Sequence, residues 1–335
     1  MRTDPGPGAA ALATPVVASG TGVPVPATAK LQRRRRIFQA GFFALFVLAP
    51  SLNLLRFDLY ETQLWVLGFR WSLGIDAFLR GEADAAQTAI AIFVRGFLPA
   101  ITLVVAFLAV AYRYGRLYCG WLCPHFSLVE TLNDLLHRAS GKLSLWERSQ
   151  TVRPGRVPRA RWWPVFFASC LLLAFVWAIT LLTYLLPPAV IWGNLFAGTL
   201  TPNQLRFLLA GTAVFTLELT LARHLFCRFG CAVGLFQSLA WMANPRGMVV
   251  AFARDRAREC RTCDAPRGSA CDRACPMRLN PRNIKRMMFS CVQCGQCLTA
   301  CDATQTEQHR SPTLGWKIGV DAVRETMRQR REELR

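Results

Sequence analysis

The chemistry of this sequence is concentrated in its cysteines. Thirteen occur in 335 residues, and eight of them lie between positions 260 and 301. They form two runs, Cys260-x2-Cys263-x7-Cys271-x3-Cys275-Pro276 and Cys291-x2-Cys294-x2-Cys297-x3-Cys301-Asp302. Thiolates at such spacings bind soft metal ions or iron–sulfur clusters. Structural zinc is the alternative, because two groups of four cysteines also suit a tetrahedral ion. Zinc ribbons, however, use two CxxC knuckles on separate turns, and the run CxxCxxCxxxC brings three sulfurs too close in sequence for that. Three closely spaced thiolates instead wrap one side of a cubane, while the fourth cysteine reaches across to the other cluster. On this spacing one 4Fe–4S cluster takes Cys260, Cys263, Cys271 and Cys301, and its twin takes Cys291, Cys294, Cys297 and Cys275. The first run carries five extra residues before its third cysteine, within the insertion DAPRGSA.

Four more cysteines form a second constellation. Cys119 and Cys123, and Cys227 and Cys231, are two CxxxC pairs, each just past the end of a long apolar run. An i, i+4 spacing puts both sulfurs on one face of a helix, and two pairs at equal depth would converge into one four-thiolate site. Soft thiolates there favour Cu(I), zinc or an iron–sulfur centre, with His125 and His224 as weaker additional ligands. The plainer reading is that these are small buried residues at helix ends. Glu218, nine residues before Cys227, lies inside an apolar run where a charge is costly, and is a candidate for a proton or metal role. Arg95 lies near the far end of another run and snorkels outward. Cys170 stands alone and reads as packing. No histidine lies at mid-membrane depth, against a di-haem cytochrome, and no P-loop or GxGxxG suggests a nucleotide site.

The elements that must carry these cysteines are membrane spans. Hydrophobic residues make up 53% of the chain, charged residues 18%, and 40 Lys+Arg against 20 Asp+Glu give a net charge of +20. Charge-free runs cover Ile37–Leu55, Gly96–Tyr112 and Trp162–Leu205, and Phe207–Ala222 carries only Glu218. Four transmembrane helices are expected, at roughly 37–55, 88–112, 163–186 and 202–222. Pro187-Pro188 stops the third, and Thr201-Pro202-Asn203-Gln204 starts the fourth as a capping box, leaving 190–200 as an outer loop or re-entrant piece. Arg33–Arg36 and the basic loop 113–161 set against the acidic segment 56–84 predict that both termini and the clusters face the cytoplasm of an inner membrane. That topology accounts for the charge without nucleic acid. The expected fold is mainly α: a disordered tail over 1–32, a four-helix membrane region over 33–225, a small α+β two-cluster ferredoxin-like domain over 226–310, and a charged tail over 311–335. An uncleaved anchor, rather than a cleaved signal, is expected at the first span.

This combination resembles the membrane polyferredoxin superfamily, and within it most resembles the cytochrome c oxidase accessory proteins of the CcoG/FixG/RdxA type. The residues that carry the resemblance are GRLYCGWLCPH from Gly115 to His125, FCRFGCAVGLFQS from Phe226 to Ser238, and SCVQCGQCLTACD from Ser290 to Asp302. The chain departs from that family in lacking a proline after Cys231, and the further span leading to a β-sandwich that the family carries is not expected before Arg335. The resemblance implies electron relay through the eight C-terminal cysteines and reduction of Cu(II) to Cu(I), held or reduced at Cys119, Cys123, Cys227 and Cys231. It further implies haem–copper oxidase assembly factors as partners in maturing a cbb-type oxidase. The quinol dehydrogenase subunit of the NapH type is a near relative and implies instead quinol oxidation feeding a partner reductase. A non-redox membrane scaffold holding zinc is the third reading. The electron donor is not specified by any motif.

Overall fold

The computed structural model describes residues 27–61, 63–147, 157–263 and 269–333. The chain is mostly helical, with two small antiparallel sheets. Helix α1 (Ala27–Leu48) leads into a meander of β1 (Leu55–Asp58), β2 (Gln63–Val66) and β3 (Phe69–Trp71). Helix α2 (Ala85–Tyr114) contains one π turn, Phe93–Phe97, which holds Arg95. Then come α3 (Leu117–Trp121), α4 (Pro124–Ser140), α5 (Trp162–Leu185), α6 (Pro188–Ala197) and α7 (Pro202–Leu217). Two further π turns, Glu218–Ala222 and Phe226–Gly230, connect α7 to α8 (Ala232–Met242). The C-terminal part holds β4 (Val249–Phe252), α9 (Ala270–Ala274), α10 (Gln296–Thr306), β5 (Leu314–Lys317) and α11 (Val320–Glu333).

Among the described residues three helical runs are long and apolar enough to cross a membrane: Ala85–Tyr114, Trp162–Leu185 and Pro202–Met242. Their ends follow from local chemistry. The Asp84 carboxylate accepts from the Ala85 amide at 2.7 Å in a capping box with Gln87, and Thr201 with Gln204 forms the expected box at the start of α7. Pro187 ends α5, and the apolar segment beyond it is the short helix α6. Where α5 packs on α7 the side chains are small: Cys170, Ala174 and Ala178 are fully buried, and a Cβ on Gly211 would sit 3.3 Å from that of Ala178. Cys170 is therefore packing, as its isolation suggested.

The expected first span is shorter than predicted. Helix α1 begins at Ala27, inside the segment read as a tail, and its apolar part, residues 37–48, ends in turns before Leu55. Its polar N-terminal half is used to reach the cysteine-rich part. The basic loop 113–161 is largely α3 and α4, although residues 148–156 lie outside the described ones. The segment read as a charged tail also belongs to the fold. Strand β5 pairs antiparallel with β4, Val249 opposite Lys317 through Phe252 opposite Leu314. This pairing ties the chain before Cys260 to the chain after Cys301. On α11, Arg328 donates to the Phe252 carbonyl at 2.7 Å, while Gln329 accepts from the Lys285 amide at 3.1 Å.

One contact joins the helix ends to the second cysteine run. Gly120 in α3 lies so close to the loop at Val292 that a Cβ there would stand 2.1 Å from the Val292 carbonyl oxygen. The Gly120 carbonyl accepts from Arg35 Nη1 at 3.0 Å and from Gln39 Nε2 at 3.2 Å, both on α1. Arg35 is fully buried and ion-paired with Glu130 of α4, which also accepts from Gln296 at the start of α10. Trp121 Nε1 donates to the Gln293 carbonyl at 3.1 Å, and Gln32 Nε2 to that of Cys294 at 3.0 Å. Since backbone cannot yield as a side chain does, Gly120→Ala is expected to lower stability by about 1–3 kcal/mol and to loosen the 291–297 loop. Thermal denaturation of purified protein, followed by iron release, measures it; an unchanged midpoint would mean the approach is slack.

Candidate functional site

The structure brings the second predicted quartet together. Cys275, Cys291, Cys294 and Cys297 line one apolar pocket together with Val250, Met277, Leu279, Met288 and Val292. Each of these sulfurs lies within electrostatic reach of Cys275 or Cys297, including Cys275 from the other run. The loop can wrap because Arg278 and Gln293 adopt left-handed backbone, with φ of 58° and 52°. Gln293 is held there by its side chain, which accepts from Trp316 Nε1 at 3.1 Å and donates to the Met248 carbonyl at 3.4 Å. Backbone amides point at the sulfurs: Leu279 to Cys275 at 3.4 Å, with Met277 and Arg278 beside it, Gln293 to Cys291, and Gln296 to Cys294. Amide donors of this kind stabilise thiolate and tune a cluster's potential.

Burial pushes the Cys291 thiol up to about 12 and holds Cys294, Cys297 and Cys275 above their ordinary value as well. Thiolates in such surroundings require positive charge among them, which iron supplies on binding. The four sulfurs, the apolar pocket and the amide donors fit a cubane. Among the described residues no three His, Cys, Asp or Glu side chains stand close enough to hold a single metal ion. A cubane, with its thiolates on four separate irons, asks for a wider spread than one tetrahedral zinc does.

The first quartet is more open. Cys263 is in electrostatic reach of Cys260 and Cys301, and Cys271 of Cys301. The Thr313 hydroxyl lies 3.7 Å from Cys260 Sγ and 3.4 Å from Cys301 Sγ, Gln305 Nε2 donates to Cys263 at 3.6 Å, and Ser269 Oγ lies 3.1 Å from Cys271. Burial pushes the Cys271 thiol up to about 12. Most of the DAPRGSA insertion, residues 264–268, lies outside the described residues. Cys271, Cys297 and Cys301 share one buried cluster, so the two quartets adjoin.

The two CxxxC pairs do converge, but not on helix faces. Cys119 sits in α3 while Cys123 caps α4, and Cys227 sits in a π turn while Cys231 caps α8. Each pair straddles a helix break, which Pro124 at the first position of α4 enforces in the first pair. Cys227 lies within electrostatic reach of Cys119 and Cys123, and Cys231 of both as well. Burial pushes the Cys123 thiol up to about 11 and raises that of Cys119, the latter opposed by the Arg116 guanidinium beside it. Cys119, Cys227, Cys275 and Cys294 belong to one packed core, with Cys123 and Cys291 against it.

His125 joins this group and His224 does not. His125 Nδ1 lies 3.4 Å from Cys227 Sγ, and its Nε2 lies 3.1 Å from Glu218 Oε2. His224 instead neighbours Arg278, Arg223 and Arg228. Sequence reasoning missed Arg116. It is fully buried, donates from Nη2 to the Cys227 carbonyl at 2.6 Å, and passes where a Cβ on Gly234 would stand 2.0 Å from it. The available signal was its position three residues before Cys119, beside a charge-free run.

Comparison with known proteins agrees with the chemistry. A family model described as a 4Fe-4S binding domain matches residues 97–142. The "Putative electron transport protein YccM" of Escherichia coli (strain K12) is 25% identical over 217 residues, which is 62% of this chain and 54% of that protein. The chain thus spans about half the length of that relative. No solved structure matches. Together these support iron–sulfur electron transfer in a chain with helices long and apolar enough to cross a membrane. The quartet assignment predicts that Cys275→Ser, remote in sequence from 291–297, removes the same cluster as Cys294→Ser, about four irons per chain. Cys301→Ser should remove the other. Iron analysis and low-temperature paramagnetic resonance of the three variants distinguish them, and identical spectra for Cys294→Ser and Cys301→Ser would exclude the crossed ligation.

Proposed function

We propose that this protein is a multi-pass electron-transfer protein of the inner membrane, passing electrons from the two C-terminal quartets to the four cysteines at the helix ends. The observation that carries this reading is the shared core: Cys275 and Cys294 are packed with Cys119 and Cys227, and Gly120 touches the Val292 backbone. When bound, a 4Fe–4S cluster takes up and releases one electron at a time. The chain's own residues keep water from the sulfurs, supply amide donors to them and fix the separation between quartets. The charge asymmetry of Arg33–Arg36 and the 113–161 segment supports a cytoplasmic position for the quartets and both termini. Helix α1 would complete a four-helix membrane region.

The terminal acceptor that the motif resemblance favours is Cu(II). As substrate it takes one electron to become Cu(I), and one reduced cluster returns to its oxidised state. The product is the form a cbb-type haem–copper oxidase assembles, with assembly factors as the receiving partners. The His125–Glu218 pair favours a second reading, quinol oxidation. A quinol releases two protons with its two electrons, and polar acceptors at the end of a membrane span, between the rings of Trp177 and Phe226, suit that chemistry.

Anaerobic protein in lipid vesicles separates the two. Prereduced protein mixed with Cu(II) is expected to regain its oxidised visible spectrum while a Cu(I)-specific chelator takes up the product, and Cys294→Ser should lose most of that rate. Equal rates in wild type and Cys294→Ser would remove the copper reading. Reduction of the oxidised clusters by a quinol analogue, slowed in Glu218→Gln, would establish the second reading instead.

A further inference from the structure

The four cysteines at the helix ends lie in a setting that differs from a copper or zinc site in several respects. Their sulfurs converge, yet among the described residues no three metal-ligating groups are close enough for a single ion. Two helices begin on them. Cys123 is the N-cap of α4, with the amides of His125 and Phe126 near its sulfur, while Cys231 is the N-cap of α8 and receives the Gly234 amide at 3.5 Å. Each helix directs its positive end at a sulfur, which favours net negative charge there.

Buried donors beside Cys119 point the same way. The Cys119 thiol donates to Gln237 Oε1 at 3.7 Å, but Gln237 Nε2 has no partner, and neither does Arg116 Nε. Both side chains are buried, so each unmatched donor is expensive unless an acceptor lies within the site. The family model described as 4Fe-4S binding covers residues 97–142, where the cysteines are Cys119 and Cys123 and none of the eight C-terminal ones occurs.

We infer that Cys119, Cys123, Cys227 and Cys231 hold a third 4Fe–4S cluster. This deepens the electron-relay reading on which it rests, by making the helix-end centre a resident redox group. A cubane with four thiolates is a large anion with sulfide acceptors, which two helix N-termini, the Arg116 guanidinium and the Gln237 amide match in charge and donor number. The three quartets then adjoin in the order of the packed cores: the Cys260 quartet, the Cys291 quartet, and the helix-end quartet.

The test is iron and acid-labile sulfide per chain in full-length protein purified without oxygen. About twelve irons are expected in wild type, against about eight if only the C-terminal quartets are filled. The double variant Cys119→Ser/Cys227→Ser should fall to about eight and keep the remaining cluster spectrum, with Cys170→Ser as an unchanged control. Wild type at about eight irons, or about one copper or zinc per chain lost with those two cysteines, would overturn the inference. The wild-type value decides even where the double variant fails to fold. About four irons in wild type, all lost in the double variant, would uphold the third cluster while removing the two-cluster relay.

Discussion

The structure depends on a backbone approach that leaves no room for a side chain. Gly120 meets the Val292 carbonyl, and its own carbonyl is fixed by Arg35 and Gln39 from another helix. Electron transfer falls off steeply with distance, so a relay needs its centres separated by packed atoms and held there. A flexible tether between a membrane bundle and a cluster domain would leave that separation unset. Here α1, α3, α4 and the 291–297 loop share hydrogen bonds through Arg35, Glu130 and Gln296. Loss of one partner from a buried ion pair of this kind typically costs about 3–5 kcal/mol. The membrane part and the cysteine-rich part are thus one folding unit at this seam.

Charge follows the same plan. Sulfurs gathered this closely favour positive charge beside them, and two buried arginines lie within reach of them. Arg35 lies within electrostatic reach of Cys294, and Arg116 within reach of both Cys119 and Cys291. Each buried arginine would be costly alone, as would each cluster of thiolates; together they offset one another.

How much of this could be read from sequence depends on the range of the interaction. The meeting of Cys275 with Cys291, Cys294 and Cys297 was legible because the spacing of the last three is local, and only Cys275 must be brought from afar. The capping box at Thr201 was legible for the same reason. The first span was not, because the mostly apolar part of α1, residues 37–48, is continued by a polar helical half that reaches Gly120 and Cys294, a long-range contact with no local signature. The i, i+4 reading of the CxxxC pairs assumed unbroken helices. Pro124 directly after Cys123 already argued for a helix starting there, with the cysteine as its cap. Arg116 escaped because only the fold shows that Gly234 clears a path for it.

The π turns explain how Glu218 and Cys227 reach the same histidine. Nine residues apart on an unbroken α-helix, at about 100° per residue, they would point in opposite directions, about 180° apart. The run from Pro202 to Met242 is interrupted by wider turns at Glu218–Ala222 and Phe226–Gly230. Each such turn accommodates an extra residue and rotates the helix on its C-terminal side relative to the helix on its N-terminal side. One inserted residue between Glu218 and Cys227 makes them equivalent to positions eight apart, about 80° from each other on the same side. His125 can then span them, with Nε2 toward Glu218 and Nδ1 toward Cys227. The helical irregularity is what brings a carboxylate from within a membrane span to the edge of a thiolate centre, and it does so without moving the small-residue seam that holds α7 against α5.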